Sequence, residues 1–178
     1  MRLFIAVKFS SEIENKLIAA QNELYARKVT GNYTNCHNLH LTLAFIGEYD
    51  CPNKVTEAMK KVDFKPFSLC LSGKAGSFGD IWWVGLEKNP ELFSLVSRLR
   101  KALSDYDIPF DKKPFNPHIT IMRKAKPPFG EKFDIKTLKP ERVSMTVSRI
   151  SLMHSHRENG KLIYTEIGFI QASGADKR

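Results

Sequence analysis

Cysteine, long apolar runs and low-complexity tracts are all scarce in this 178-residue chain, and each scarcity excludes a class of protein. Its three cysteines, Cys36, Cys51 and Cys70, are an odd number with no C-x-x-C pair, so a disulfide framework is excluded and reduced thiols are expected. A zinc site needs clustered ligands, and the sequence offers only Cys36, His37 and His40 in loose proximity; no metal or other cofactor is expected. The early apolar run, Leu3 to Val7, is too short for a signal-peptide core and far too short to span a bilayer, and nothing later reaches that length. A cytoplasmic protein without membrane contact is the expectation. Ten Gly and nine Pro are near average usage, which argues against collagen-like or disordered chains. With 42% hydrophobic residues, the chain can bury a core as one domain or as two lobes sharing it.

Negative charge is the other scarcity. Twenty-eight Lys and Arg against nineteen Asp and Glu leave a formal charge of +9, unevenly spread. Residues 1–97 carry +1, residues 98–142 carry +6 and residues 143–178 carry +2. A concentrated basic stretch attracts polyanions through its long-range field and counterion release, so a nucleic acid is a natural partner. The same charge on a solvated face would serve only solubility.

Period and punctuation predict an α+β chain. Arg2–Val7 reads as a buried strand. Ser11 and Glu14 form a capping-box signature ahead of a helical stripe of Ile13, Leu17, Ala20 and Leu24. Further helices begin after Pro52 and at Asn89-Pro90, each with an apolar stripe. Strands are predicted over 40–46, 67–71, 81–86, 118–122, 143–153 and 162–169, a connecting loop over 124–140, and a loose tail over 172–178. The domain expected is thus residues 1–171.

One short pattern occurs twice, 78 residues apart: His40-Leu41-Thr42-Leu43 and His118-Ile119-Thr120-Ile121. Side chains two apart on a strand share a face, about 6.5 to 7 Å from one another, so His and Thr point one way while Leu or Ile points into the core. A polar rail of this kind suits the wall of a cleft, and two rails suit opposite walls of one cleft. Two imidazoles can divide labour at neutral pH, one neutral as base and one protonated as acid. That division suits displacement at phosphorus, where attacking and leaving oxygens lie on opposite sides. Thr42 and Thr120 can donate to non-bridging oxygens, and Arg123, near the end of the second strand, can neutralise developing charge.

These motifs, with Asn38-Leu39-His40-Leu41-Thr42-Leu43-Ala44-Phe45-Ile46-Gly47 and Pro117-His118-Ile119-Thr120-Ile121-Met122-Arg123, resemble the 2H phosphoesterase superfamily. Within it the chain is similar to the bacterial RNA 2′,3′-cyclic phosphodiesterases, often called 2′-5′ RNA ligases. Arg2-Leu3-Phe4-Ile5-Ala6, Trp82-Trp83-Val84-Gly85 and Ser155 with Gly160 and Tyr164 extend the match over nearly the whole chain. The resemblance implies a bilobal fold of two antiparallel sheets with outer helices, pseudo-two-fold symmetry and a central cleft. It implies metal-independent opening of an RNA-terminal 2′,3′-cyclic phosphate to a 2′-phosphate, with 2′-5′ ligation as the reverse reaction and hydrolysis dominant in water. A nucleoside cyclic phosphate is the other expected substrate, and a monomer is expected because the cleft is self-contained. By the same resemblance His40 is the general acid, His118 the general base, and Thr42, Thr120 and Arg123 hold the phosphate. One departure stands out: where the family commonly has a basic residue and a tryptophan before the first motif, this chain has Asn32 and Tyr33.

Several other residues are candidate RNA contacts. Tyr33 and Phe115 are placed to stack on bases, Phe115 because it precedes the second rail in a loop, whereas Phe78, Trp82 and Trp83 on strands read as core. Lys112, Lys113, Lys124 and Lys126 flank the second rail as backbone contacts. His154 and His156 alternate on one strand face but lack a third ligand, so a metal pair is not expected there. Alternative readings are a relative acting on 2′-5′ oligonucleotides or small nucleotide cyclic phosphates, and a non-catalytic RNA-binding module.

Overall fold

A computed structural model of the chain describes residues 1–130 and 133–174. Among the described residues, nine strands and three α-helices form an α+β fold with two antiparallel sheets. The first sheet has the order β3-β1-β8-β9, from His40–Glu48, Arg2–Lys8, Arg149–Glu158 and Lys161–Gln171. The second has the order β2-β6-β5-β4-β7, from Thr30–Tyr33, His118–Lys126, Ile81–Leu86, Phe67–Phe78 and Ser144–Val147.

The two halves repeat one construction. In the first, β1 leads through helix α1 (Ser11–Ala26) and onward to the antiparallel partner β3; in the second, β5 leads through α3 (Pro90–Asp105) to β6. Both helices have 16 residues. Each histidine stands opposite the end of the strand before its helix, His40 against Lys8 and His118 against Gly85. This internal duplication is the pseudo-two-fold that the family resemblance implies.

Apolar stripes hold the helices to the sheets. Ile13, Leu17 and Leu24 of α1 and Leu92, Leu95 and Leu99 of α3 are fully buried in one core cluster with Leu41, Ile119 and Ile121. Helix α2 (Pro52–Lys60) starts on its proline and buries Val55, Ala58 and Met59. The cap of α1 differs from the expected box: Ser10, not Ser11, precedes the first turn, and its Oγ accepts from Ile13 N at 3.5 Å.

Strand boundaries moved where sequence period says little. Thr30–Tyr33 carries no apolar alternation, yet it forms edge strand β2 on β6. The predicted loop over 124–140 begins late, because β6 continues through Lys126; Glu131 and Lys132 within it lie outside the described residues. The predicted strand 143–153 is two strands, divided at Ser148, where the chain passes from the second sheet to the first. Ala172 is buried and donates to Ser148 O at 2.7 Å, so the expected tail is tied down at its start. Residues 175–178 lie outside the described residues.

Candidate active site

Strand alternation alone would turn Arg123 away from His118, because five residues separate them and odd spacings change face. Burial shows how the chain avoids this. Ile121 and Met122 are consecutive and both 0% exposed, and the β5 register steps from Trp83↔Thr120 to Trp82↔Met122, leaving Ile121 as a bulge. The extra residue reverses the phase, so His118, Thr120 and Arg123 come to one side. The first rail has the same device. Leu43 and Ala44 are both buried, the register steps from Ala6↔Thr42 to Ile5↔Ala44, and Phe45 arrives on the cleft side with His40 and Thr42.

A bulge frees backbone groups that need partners. The Ile121 carbonyl accepts from Thr34 N at 2.9 Å and from Gln21 Nε2 at 2.8 Å, while Thr34 Oγ1 donates to Thr120 O at 3.0 Å. Gln21 is a buried amide on the apolar stripe of α1, and it also donates to Thr34 O at 2.8 Å. Replacing it by leucine removes both donors, so Gln21→Leu is expected to lower stability by about 1–3 kcal/mol, read as a reduced urea midpoint with unchanged slope.

The histidines are held alike. His40 Nδ1 lies 2.6 Å from Asn38 O, and His118 Nδ1 lies 2.7 Å from Asn116 O. A carbonyl only accepts, so each Nδ1 carries the proton and each Nε2 is left to take or give one. Asn38 is itself buried and anchored, donating through Nδ2 to Leu162 O at 2.9 Å. His40 Nε2 is 3.0 Å from Thr42 Oγ1, whose hydroxyl donates to the neutral ring. Burial pushes the His40 pKa below its ordinary 6.5; the bond to Asn38 opposes this, and the charges of Arg123 and His118 add to the lowering. The influence of His118 on His40 places the second rail within electrostatic reach of the first. Thr42 borders both the hollow holding His40 with Arg123 and the hollow holding His118.

Two arms open from this centre. One, about 720 Å³, runs between β2 and β9 past Asn32, Tyr33, Lys124, Lys161 and Tyr164, and no carboxylate lines it. The other, about 560 Å³, runs along the first sheet past Arg2, Phe45, His154, His156 and Arg157. A larger hollow beside the start of α3 holds neither histidine and is separate from this chemistry.

Of the proposed RNA contacts, Tyr33 and Lys124 line the first arm, and Tyr33 OH is tied to Val29 O at 2.8 Å. Lys113 and Phe115 border the His118 hollow, but Phe115 is half-buried edge-on against Phe93, at 5.4 Å, rather than presented for stacking. The exposed aromatic at this histidine is Phe78, read from sequence as core; its ring meets His118 edge-on at 5.1 Å. It stands at the tip of the β4–β5 hairpin, where strand pattern cannot distinguish an edge from a core. Lys112 and Lys126 are exposed and line neither arm. Sequence reasoning also passed over Lys161 and Arg157, which enter the site through the β8–β9 hairpin. Tyr164 packs edge-on against His40 at 5.3 Å and against Phe4 at 4.9 Å. Among the described residues, no cluster of three potential metal ligands is present.

Fold and cleft together define a two-lobed protein built around a duplicated His-x-Thr strand. The sequence model of the 2′-5′ RNA ligase superfamily matches residues 10–159, and the chain belongs to that superfamily. It is 32% identical over 132 residues to the RNA 2′,3′-cyclic phosphodiesterase of Thermotoga maritima, covering 69% of this chain and 70% of that one. The apo crystal structure of Escherichia coli LigT superimposes with a TM-score of 0.80 at 25% identity over 96% of both chains. E. coli LigT complexed with 3′-AMP matches with a TM-score of 0.77 at 25% identity over 97% of both.

Proposed function

We propose that this chain is an RNA 2′,3′-cyclic phosphodiesterase, opening the terminal cyclic phosphate to a 2′-phosphate without a metal. The observation that carries the reading is the paired rail: two imidazoles, each with Nδ1 bound to the carbonyl two residues earlier, His40 in the hollow that holds Arg123 and His118 in a hollow that shares Thr42 with it. Thermotoga and E. coli relatives named for this activity support it.

In the proposed reaction His118 Nε2 takes a proton from water as the water oxygen bonds to phosphorus. The bond from phosphorus to the 3′ oxygen breaks, and His40 Nε2 gives that oxygen its proton. Thr42, Thr120 and Arg123 hold the non-bridging oxygens, whose charge grows in the transition state. The RNA chain follows the first arm, where Lys124 and Lys161 meet phosphates and Tyr33 faces a base. Residues 1–171 act as one catalytic domain. A cytoplasmic monomer fits this reading, since one chain supplies every group and three free cysteines suit a reducing compartment. No helix among the described residues is long and apolar enough to cross a membrane.

The direct test is turnover of a nucleoside 2′,3′-cyclic phosphate in excess chelator, with the product read by phosphorus NMR. The 2′-monophosphate is expected at an unchanged rate. Loss of turnover on chelation sinks the metal-free mechanism, and a 3′-monophosphate reverses the assignment of the broken bond.

The lowered pKa of His40 adds a pH prediction. In the empty cleft burial favours the neutral ring, whereas its role as acid needs the proton. A bound cyclic phosphate brings negative charge beside the ring and raises its pKa. The alkaline fall of kcat/KM, which reports free enzyme, is therefore expected at lower pH than the alkaline fall of kcat, which reports the complex. Coincident falls would remove His40 as the acid.

A further inference from the structure

Helices α1 and α3 match residue by residue along the faces they bury. Ile13, Leu17, Ala20 and Leu24 of α1 and Leu92, Val96, Leu99 and Leu103 of α3 are all buried, and they stand at the same four places counted from the start of each 16-residue helix. The caps match as well, Ser10 accepting from Ile13 N and Asn89 from Leu92 N. At one shared place, just after Ala20 and Leu99, each helix sets a long polar side chain beside the stripe: Gln21 in α1 and Arg100 in α3.

Gln21 works between the two halves. Its amide donates to Thr34 O, in the segment leading to the first rail, and Thr34 N donates to Ile121 O of the second rail. Arg100 repeats that construction with the halves exchanged. Its Nη1 donates at 2.9 Å to Lys113 O, in the segment leading to the second rail, where Asp111 N donates at 2.8 Å to Phe45 O of the first rail. Asp111 Oδ1 accepts from Lys113 N at 3.0 Å, so both contacts belong to one turn. Each helix thus holds the segment leading into its own rail, and each segment is bonded to the opposite rail.

The second of these segments ends on a reacting group. Its Asn116 carbonyl accepts from His118 Nδ1 at 2.7 Å. Contacts therefore run from the Arg100 guanidinium through Lys113 to the carbonyl that orients His118, and through Asp111 to the strand that carries His40. Arginine is not what packing alone calls for at this place. Its Nε is enclosed and has no hydrogen-bond partner, a cost that a hydrocarbon side chain would not carry. The same side chain lines the hollow beside His118 with Leu43, Ala44 and Phe45.

We infer that Arg100 is a positioning residue for the second imidazole. By holding residues 111–116 between the two rails, it fixes the orientation of His118 and its placement relative to His40. The effect on rate rests on the proposed function; the effect on the ring does not.

Arg100→Met keeps the stem of the side chain and removes its donors. With a nucleoside 2′,3′-cyclic phosphate, kcat is expected to fall by about 10- to 100-fold, the scale of a misplaced reacting group, with KM little changed because Thr42, Thr120 and Arg123 still hold the phosphate. Arg100→Lys, which keeps one donor but not the planar fork, should recover part of the loss. Unchanged kcat in Arg100→Met, or a loss carried by KM alone, overturns the assignment.

Nitrogen NMR of the imidazoles reads the positioning without turnover, at alkaline pH where the rings are neutral and with signals assigned by their absence from His40→Ala and His118→Ala. Wild type should carry the proton on Nδ1 of both rings. In Arg100→Met, His118 should shift toward the Nε2–H form, whereas His40 should keep Nδ1–H, because Asn38 stays anchored to Leu162 O. An unmoved His118, or both rings moved alike as in a general loosening, overturns the assignment. If Arg100→Met does not fold, Arg100→Gln takes its place: the shorter amide stays polar but lacks the reach of the guanidinium, so the same shift at His118 is expected and its absence is equally decisive. A shift confined to His118 supports the positioning role even if no cyclic phosphate is opened, in which case the proposed function alone fails.

Discussion

Removing either imidazole is expected to lower kcat for a nucleoside 2′,3′-cyclic phosphate by about 10²- to 10⁴-fold, the usual contribution of a positioned acid or base. His40→Ala and His118→Ala should also be non-additive with each other, since proton removal and proton delivery belong to one displacement. Each side chain is only half-buried on a cleft wall, so neither alanine opens a sealed cavity, and melting curves near wild type should accompany the kinetic loss. The variants also separate the two shoulders of the rate profile. His118→Ala should lose the acidic flank, where a base must shed its proton, and His40→Ala the alkaline flank, where an acid must keep its own. Wild-type turnover in both variants, with RNA still bound, would leave a binding module in place of an enzyme.

Arg123→Ala is expected to cost about 10²- to 10³-fold in kcat, as for loss of one oriented donor to a developing oxyanion. Arg123→Lys should recover only part, because an ammonium keeps the charge but loses the planar fork that meets two phosphoryl oxygens at once. The loss should appear in kcat more than in KM if the contact strengthens as charge accumulates on phosphorus. The opposite split, with KM rising and kcat unchanged, would make Arg123 a ground-state anchor for RNA. Its exposure and its place between both arms make a folding defect an unattractive alternative, and urea melts of the same preparations check it.

Both halves of the chemistry were visible in the linear chain because an alternating strand writes its polar face into every second residue. His40 with Thr42 and His118 with Thr120 needed no coordinates to be placed side by side, and repetition of the pattern pointed to one cleft. The three helices were legible for a similar reason, since burying one stripe of a 3.6-residue period leaves the same mark whatever the stripe packs against. Ser148 left a fainter mark. The apolar alternation only slips by one residue there, from Val143, Met145 and Val147 to Ile150 and Leu152, and pairing partners alone decide that the residues before and after belong to different sheets.

Arg123 lies between these cases. Its type and nearness to His118 made it a candidate, but strict alternation would have aimed it at the core; the bulge at Ile121, held by Gln21 from a helix 100 residues away, aims it at the cleft. A bulge depends on where backbone bonds find partners, which is a long-range matter that neighbouring residues do not encode. Arg2, Phe78, His156 and Lys161 were hidden for the same reason, since each enters the site through a pairing of distant strands. By itself, then, the sequence determined the reactive residue types and their local facing, because those follow from periods of two and 3.6. Which cations gather around them was decided only in the folded chain, because electrostatic convergence depends on distances through space that sequence separation does not set.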